Sequence, residues 1–402
     1  MSSENIAGLR FLNNEQVREL TSKHKTPFYV YSRAELQRAV NDVLGFRDLM
    51  PYGCTPRYAT KANEHPDILK FFDAQGLSFD ASSGFEAENI VKCGIAPQKI
   101  LLTAQELPED LGALVNSGVG FTATSLHQLK TFCELFPGKP VSVRINPGIG
   151  HGHNNRITTG GLSASFGIWY EYISQVLEIV QAHRSKIERL HMHIGSGSDP
   201  VQWVTAVKIC LEIVEKLPDV TVLNIGGGFK TSYQPEEKET DMAAVGAEIA
   251  ELIKAFADKT STKLHIEIEP GRFLVVHACA IVSSVIDMTD TGIEGFKFIR
   301  TNTGMTEIQR QAMYGAYHEL VVIPAEPAAL EAYDNYVVVG HCCESSDCLT
   351  VAHDDPERIE PRKLHTAAIG DYLVIEDSGA YCASMAASGY NGFPKAPEIF
   401  ID

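Results

Sequence analysis

Between residues 57 and 271 short apolar, β-branched runs alternate with longer amphipathic stretches, and this alternation limits the fold more than any other feature of the chain. The runs occupy 57–62, 77–82, 99–104, 120–125, 141–147, 187–195, 220–228 and 264–271. Runs of this length between turn residues read as strands, and residues 84–93, 126–135, 168–183, 201–217 and 242–257 carry the helical period between them. Eight strand-helix units match a (β/α)8 barrel of the TIM type better than an open doubly wound sheet, which typically has fewer parallel strands.

After Gly271 the texture changes. Residues 273–286, 296–300, 336–340 and 372–376 read as strands with no regular helices between them, which predicts a separate C-terminal β domain, a sandwich or barrel. The strand-like run 27–31 precedes the barrel and is expected to join that domain. The expected division is therefore 33–275 for the barrel and 1–32 with 276–402 for the β domain. Residues 324–327 and 354–361 read as surface loops.

The chain has 402 residues, 44% of them hydrophobic, enough for two cores. No basic start followed by an apolar run and a cleavage site is seen, and no apolar stretch is long enough to span a bilayer, so a cytoplasmic, soluble protein is expected. Nine cysteines without a C-x-x-C pair indicate neither a disulfide framework nor a structural metal, and no metal is expected. A formal net charge of −17 without a long basic cluster disfavours nucleic acid and tolerates a cationic small molecule.

Barrel enzymes carry their chemistry where strands end at the C-terminal face. The first run ends at Lys61, the second carries Asp80 and Ser82, and the fifth carries Arg144 and Asn146. The sixth carries His191, His193 and Ser196, the seventh ends in Gly226-Gly227-Gly228, and the eighth holds Glu267, Glu269 and Arg272. A lysine in a barrel mouth would lose hydration, which lowers its pKa and makes it a better nucleophile for an aldehyde; the other reading is a solvated loop lysine. The glycine run permits close backbone approach and offers amides to a phosphate, or is a plain turn. Glu269 would serve a pyridine nitrogen, pair with Arg272, or do both. His193 would stack on a flat ring or be a hydrogen-bonded core histidine.

Tyr58-Ala59-Thr60-Lys61-Ala62-Asn63, His193-Ile194-Gly195-Ser196, Gly226-Gly227-Gly228-Phe229 and Glu269-Pro270-Gly271-Arg272 resemble the fold-type III pyridoxal-phosphate decarboxylases. The segments 310–318, 343–347 and 379–382 look most like those of diaminopimelate decarboxylases. The resemblance implies that Lys61 carries pyridoxal 5'-phosphate as a Schiff base, that His193 stacks on its ring, and that Glu269 meets its ring nitrogen. It further implies that Ser196, the backbone of Gly226, Gly227 and Gly228, and Tyr381 hold the phosphate, with Arg272 near phosphate or substrate. Arg310 and Tyr314 match the positions that grip a distal carboxylate. Cys343 and Glu344 match residues donated across a homodimer interface, the cysteine as proton donor and the glutamate as reader of the distal amine. The activity implied is decarboxylation of meso-2,6-diaminopimelate to L-lysine in lysine biosynthesis.

Several positions depart from the diaminopimelate decarboxylase pattern. Ala164-Ser165-Phe166-Gly167 stands where a Ser-Lys-Phe-Gly segment is common, Gln311 replaces a proline, Ser346 a glycine, and Asn224 the aspartate before the glycine run. Residues 390–395 replace a Tyr-Asn-x-Arg-Pro segment. These leave open a related substrate such as D-ornithine, D-lysine or a carboxylated polyamine precursor. An amino-acid racemase and a non-catalytic regulatory homologue are further readings; Glu269 argues against the first and retained Lys61, Glu269 and Cys343 against the second.

Overall fold

Barrel strands form in this chain where short apolar runs have both faces covered, as at β6, every residue of which is buried. By contrast Asp355–Ile359, within the expected loop 354–361, is a polar, mostly exposed strand outside the barrel. In the computed structural model, residues 8–148, 160–193, 195, 200–234, 236–327 and 332–402 are described. In chain order β1 (Phe28–Ser32) is followed by β2 (Cys54–Ala59), β3 (Ser78–Ala81), β4 (Ile100–Leu102), β5 (Gly120–Ala123) and β6 (Val141–Asn146). Then come β7 (Ile168–Trp169), β8 (Ile187–His191), β9 (Val222–Asn224) and β10 (His265–Ile268). Eight of these pair in parallel in the order β5, β4, β3, β2, β10, β9, β8, β6, and β6 pairs back onto β5. The sheet is thus a closed barrel without free edges, as the eight runs predict, and the two-residue β7 lies beside β6.

Short connections launch the helices. Ser83 and Ser125, just past β3 and β5, accept hydrogen bonds from the amides of Glu86 and Gln128 and cap Gly84–Lys92 and Leu126–Leu135. Asp241 caps Met242–Thr260 through the amide of Ala244. The helix expected over 168–183 is shorter. Trp169 keeps an extended backbone and a 3₁₀ turn (Tyr170–Tyr172) intervenes before Ile173–Ala182.

The second unit is built on β11 (Cys279–Asp290), β12 (Lys297–Thr301), β13 (Leu320–Ile323) and β14 (Tyr333–Val339). It also holds β15 (Val351–Ala352), β16 (Asp355–Ile359), β17 (Arg362–His365), β18 (Tyr372–Ile375) and β19 (Glu398–Ile401). The expected N-terminal strand is β1, which runs antiparallel to β11 and parallel to β19. Phe28, Val30, Ala280, Val282, Val321 and Val374 form its core with Val17 of the helix Asn14–Lys23, which the sequence reading did not anticipate although Asn13 and Gln16 make a capping box there. The strand expected over 273–286 starts late: Arg272–Val275 is helical and Val276–Ala278 a 3₁₀ turn before β11. An apolar run does not by itself distinguish strand from buried helix.

The chain divides into a barrel unit, Ala39–Thr231 with Lys238–Phe273, and a β unit comprising residues up to Arg38, Ser232–Glu237 and those from Leu274 onward. Among the described residues no helix is long and apolar enough to cross a membrane.

Candidate active site

Lys61 sits in a 3₁₀ turn (Thr60–Ala62) directly beyond β2 and is exposed. The turn carries the side chain out past the packed strand end, where the amine is accessible. Its charge acts on its neighbours. Burial drives the carboxyls of Asp80 and Glu86 up, and the positive charge of Lys61 pulls against it.

Glu267 and Glu269 are two residues apart at the end of β10, so both side chains take the same face, and both are buried. Arg57 Nη2 lies 2.6 Å from Glu267 Oε1 and Arg189 Nε 2.9 Å from Oε2. Glu269 Oε1 accepts a 2.7 Å hydrogen bond from Asn224 Nδ2, and Oε2 lies 3.3 Å from His191 Nε2. Burial alone would raise the Glu269 carboxyl; His191, by charge and hydrogen bond, and Lys61 outweigh it and hold the group well below the ordinary carboxylate range. The described contacts of Glu269 thus run to Asn224 and His191, while Arg272 opens the next helix, half-buried.

His193 accepts a 3.1 Å hydrogen bond from the Gly227 amide at Nδ1, which requires a lone pair there. Burial, with the charges of Arg144 and Lys61, pushes its pKa well down, so the ring is neutral. Glycine is required on steric grounds throughout the run 226–228. Gly226 and Gly228 have φ of +71° and +101°, and a Cβ at Gly227 would lie 2.2 Å from the Glu269 carbonyl oxygen. The amides of Gly226 and Gly227 already donate to Asn224 Oδ1 and His193 Nδ1. Two of the three amides expected to meet a phosphate thus also brace the loop. Trp203 Nε1 braces it further by donating to the Gly227 carbonyl at 2.9 Å. Ser196 lies outside the described residues.

In the β unit the helix Arg310–Tyr314 carries both expected carboxylate-gripping residues. Arg310 is buried; its Nη1 is 2.7 Å from His318 Nε2 and its guanidinium stacks 4.8 Å from the Tyr233 ring centroid. His318 Nδ1 lies 2.9 Å from the Glu376 carbonyl oxygen, which can only accept, so Nδ1 donates and Nε2 receives the arginine proton. Tyr314 is half-buried, as is Tyr381, whose φ of +58° is unusual for a non-glycine residue.

Cys343 is exposed and its amide donates to Asn391 Oδ1 at 2.8 Å. Buried Asp347 takes the amides of Met305 at 2.7 Å and Cys342 at 2.8 Å, and neither Gly304 nor Gly340 has room for a Cβ against it. Glu344 accepts from the Ser346 amide and hydroxyl, each at 3.2 Å, and from Tyr390 at 3.4 Å. These bonds, the Ser346 amide foremost, hold its carboxyl below the ordinary range. Two departures from the family pattern, Ser346 and the segment 390–395, thus contact Cys343 or Glu344. His318, Tyr233 and Asp347 were missed; Asp347 had a signal in lying between Glu344 and a strand-like run, Tyr233 had none.

Lys61 follows β2, His193 follows β8 and Glu269 follows β10, all at the C-terminal face of one barrel. An accessible amine, a neutral imidazole and a charged carboxylate meet the needs of pyridoxal phosphate for an aldehyde partner, a ring-face contact and an anion at the ring nitrogen. Comparison with known proteins agrees. The pyridoxal-dependent decarboxylase family, pyridoxal binding domain, matches residues 33–276. Diaminopimelate decarboxylase of Escherichia coli strain K12 is 31% identical over 97% of this chain and 92% of its own length. A crystal structure of a diaminopimelate decarboxylase, 30% identical, superposes with a TM-score of 0.89 over 98% of this chain and 94% of that one. That of Helicobacter pylori diaminopimelate decarboxylase in complex with L-lysine, 26% identical, gives 0.83 over 97% and 94%. The fold and the cofactor implied by the strand-end residues are those of these relatives, and the chain belongs to the pyridoxal-dependent decarboxylase family.

Proposed function

We propose that this protein removes carbon dioxide from meso-2,6-diaminopimelate to form L-lysine, and that it does so in the cytoplasm as a homodimer. The functional domains in this proposal are 33–275, which binds the cofactor, and 1–32 with 276–402. The observation that carries the substrate choice is Arg310. Its guanidinium is buried, its hydrogen-bonding partner is a neutral histidine, and among the described residues no carboxylate pairs with it. A buried unneutralised arginine is costly unless an anion joins it, and its planar fork suits a carboxylate. D-Ornithine and D-lysine lack the distal carboxylate that would fill that role.

In this scheme Lys61 would take the cofactor's aldehyde, His193 would meet its ring face and Glu269 its ring nitrogen, while the backbone of Gly226, Gly227 and Gly228 with Tyr381 and Ser196 would hold the phosphate, with Arg272 nearby. When bound, pyridoxal phosphate supplies an electron sink for the pair left as carbon dioxide departs. Glu269 serves by keeping its negative charge while buried. His193, fixed by the Gly227 amide, presents an uncharged ring. Arg310 and Tyr314 take the distal carboxylate, Glu344 the distal ammonium, and Cys343 Sγ delivers a proton to carbon.

The test is carbon-dioxide release from meso-diaminopimelate, D-ornithine and D-lysine assayed side by side. Turnover of either monocarboxylate with none of diaminopimelate rejects the substrate. Exposure of Cys343 supports its use by a second subunit. Mixing Lys61→Ala with Cys343→Ala protein should restore activity in hybrid dimers; no recovery after verified subunit exchange counts against shared sites.

A further inference from the structure

We propose that Asn224 is the positioning residue that keeps Glu269 both ionised and correctly aimed, by donating to it without adding charge. The proposal rests on the reading that Glu269 meets the cofactor's ring nitrogen.

Asn224 is fully buried at the end of β9, in register with Glu267 on β10. Its side-chain amide makes three bonds. Oδ1 accepts from the Gly226 amide at 2.9 Å, and Nδ2 donates to Glu269 Oε1 at 2.7 Å and to Glu267 Oε2 at 3.3 Å. Because the Gly226 amide can only donate, the oxygen must face it and the nitrogen must face the two carboxylates. The orientation has no alternative. Arg57 and Arg189 neutralise Glu267, so Asn224 joins a balanced lower carboxylate to an upper one reserved for the site.

An aspartate in the same place would put an oxygen where Nδ2 stands, within hydrogen-bond distance of two carboxylates, and would have to hold a proton to remain. Buried acids among like charges keep their protons to raised pH and release them with a penalty above it. Other charges reach Glu269: His191 from the sixth barrel strand, Lys61, Arg144, Asp80 and Arg57. They act on its charge through space, and Asn224 acts on it by a direct hydrogen bond. The Glu269 amide already donates to the Gly226 carbonyl at 2.8 Å, and Asn224 ties the carboxylate itself to the same loop, coupling its direction to that backbone.

The experiment compares holoenzyme carrying Asn224→Asp, Asn224→Leu or Glu269→Gln with the parent, following kcat and the visible absorbance of bound cofactor from about pH 6 to about pH 9. Asn224→Asp should be most active at the acidic end, where the new carboxyl is protonated and donates. It should fall by roughly tenfold relative to the parent as pH rises, with a parallel and reversible change in absorbance. Asn224→Leu should be impaired at every pH. A reversible pH response excludes simple misfolding. If Asn224→Asp follows the parent profile in rate and absorbance while Glu269→Gln is crippled, the role of Asn224 is overturned. If Glu269→Gln is itself unimpaired, it is the reading of Glu269 that fails.

Discussion

In the barrel unit the candidate groups are joined to one another through charge, whereas in the β unit each is fastened by its own separate set of partners. Glu269 answers at once to His191 and Lys61, and it shares Asn224 with Glu267. Cys343 is held by Asn391, its loop by Asp347, and Arg310 by His318 and Tyr233. The difference separates two tasks. A coupled set fixes protonation states, so disturbing it should alter chemistry; locally fastened groups select and deliver, so disturbing them should alter recognition or local order.

The comparison breaks first at Lys61. Lys61→Ala should cost more than about 10⁴-fold in turnover and abolish fixation of the cofactor by borohydride. Thermal unfolding should be little changed, since the side chain is exposed. A large loss of stability would mean that the coupled charges hold the fold together rather than the chemistry.

Next in size is Arg310→Ala, expected to lower kcat/KM for diaminopimelate by roughly 30- to 5,000-fold, the consequence of about 2–5 kcal/mol for truncating a buried charged contact. Cofactor absorbance should stay as in the parent. A shifted spectrum would show that the β unit reaches the protonation equilibria after all.

Asp347→Ala should leave two backbone amides without an acceptor and cost about 2–3 kcal/mol in chemical denaturation, with kcat reduced because the Cys343 loop loses its anchor. Unchanged stability would remove Asp347 from the set of anchors.

The smallest effect concerns Glu376, whose carboxyl burial pushes up to about 7. An acid with a raised native pKa contributes stability that is fully present below its unfolded pKa and is lost as pH rises through the folded one. Glu376→Gln should therefore be more stable than the parent above about pH 7, by about 1–2 kcal/mol, and no more stable at about pH 4. Equal differences at both pH values would show that the carboxyl does not titrate in the fold.

Legibility in the sequence followed the range of the interactions. The eight barrel strands were readable because burial on both faces leaves a local signature, an apolar run closed by turn residues. Lys61, His193 and Glu269 were readable for a related reason: the end of a strand is a position along the chain, and in a closed parallel barrel all such ends share one face. The late start of β11 and the shortened helix after β7 were not readable, since apolar content does not reveal which backbone conformation buries it.

Partnerships were decided by tertiary structure alone. Asn224 stood in the sequence as a departure from a family pattern, and its meaning came only with the register that sets it opposite Glu267 and beneath Glu269. Nothing local ties Tyr233 to Arg310 or makes His318 a neutral acceptor. The sequence by itself determined the barrel through periodicity, and the kind of cofactor through strand-end motifs that resemble a known family. The exposure of Lys61, the internal use of two glycine amides and the protonation of Glu269 depend on distances between remote residues and on the water displaced between them, which only the folded chain sets.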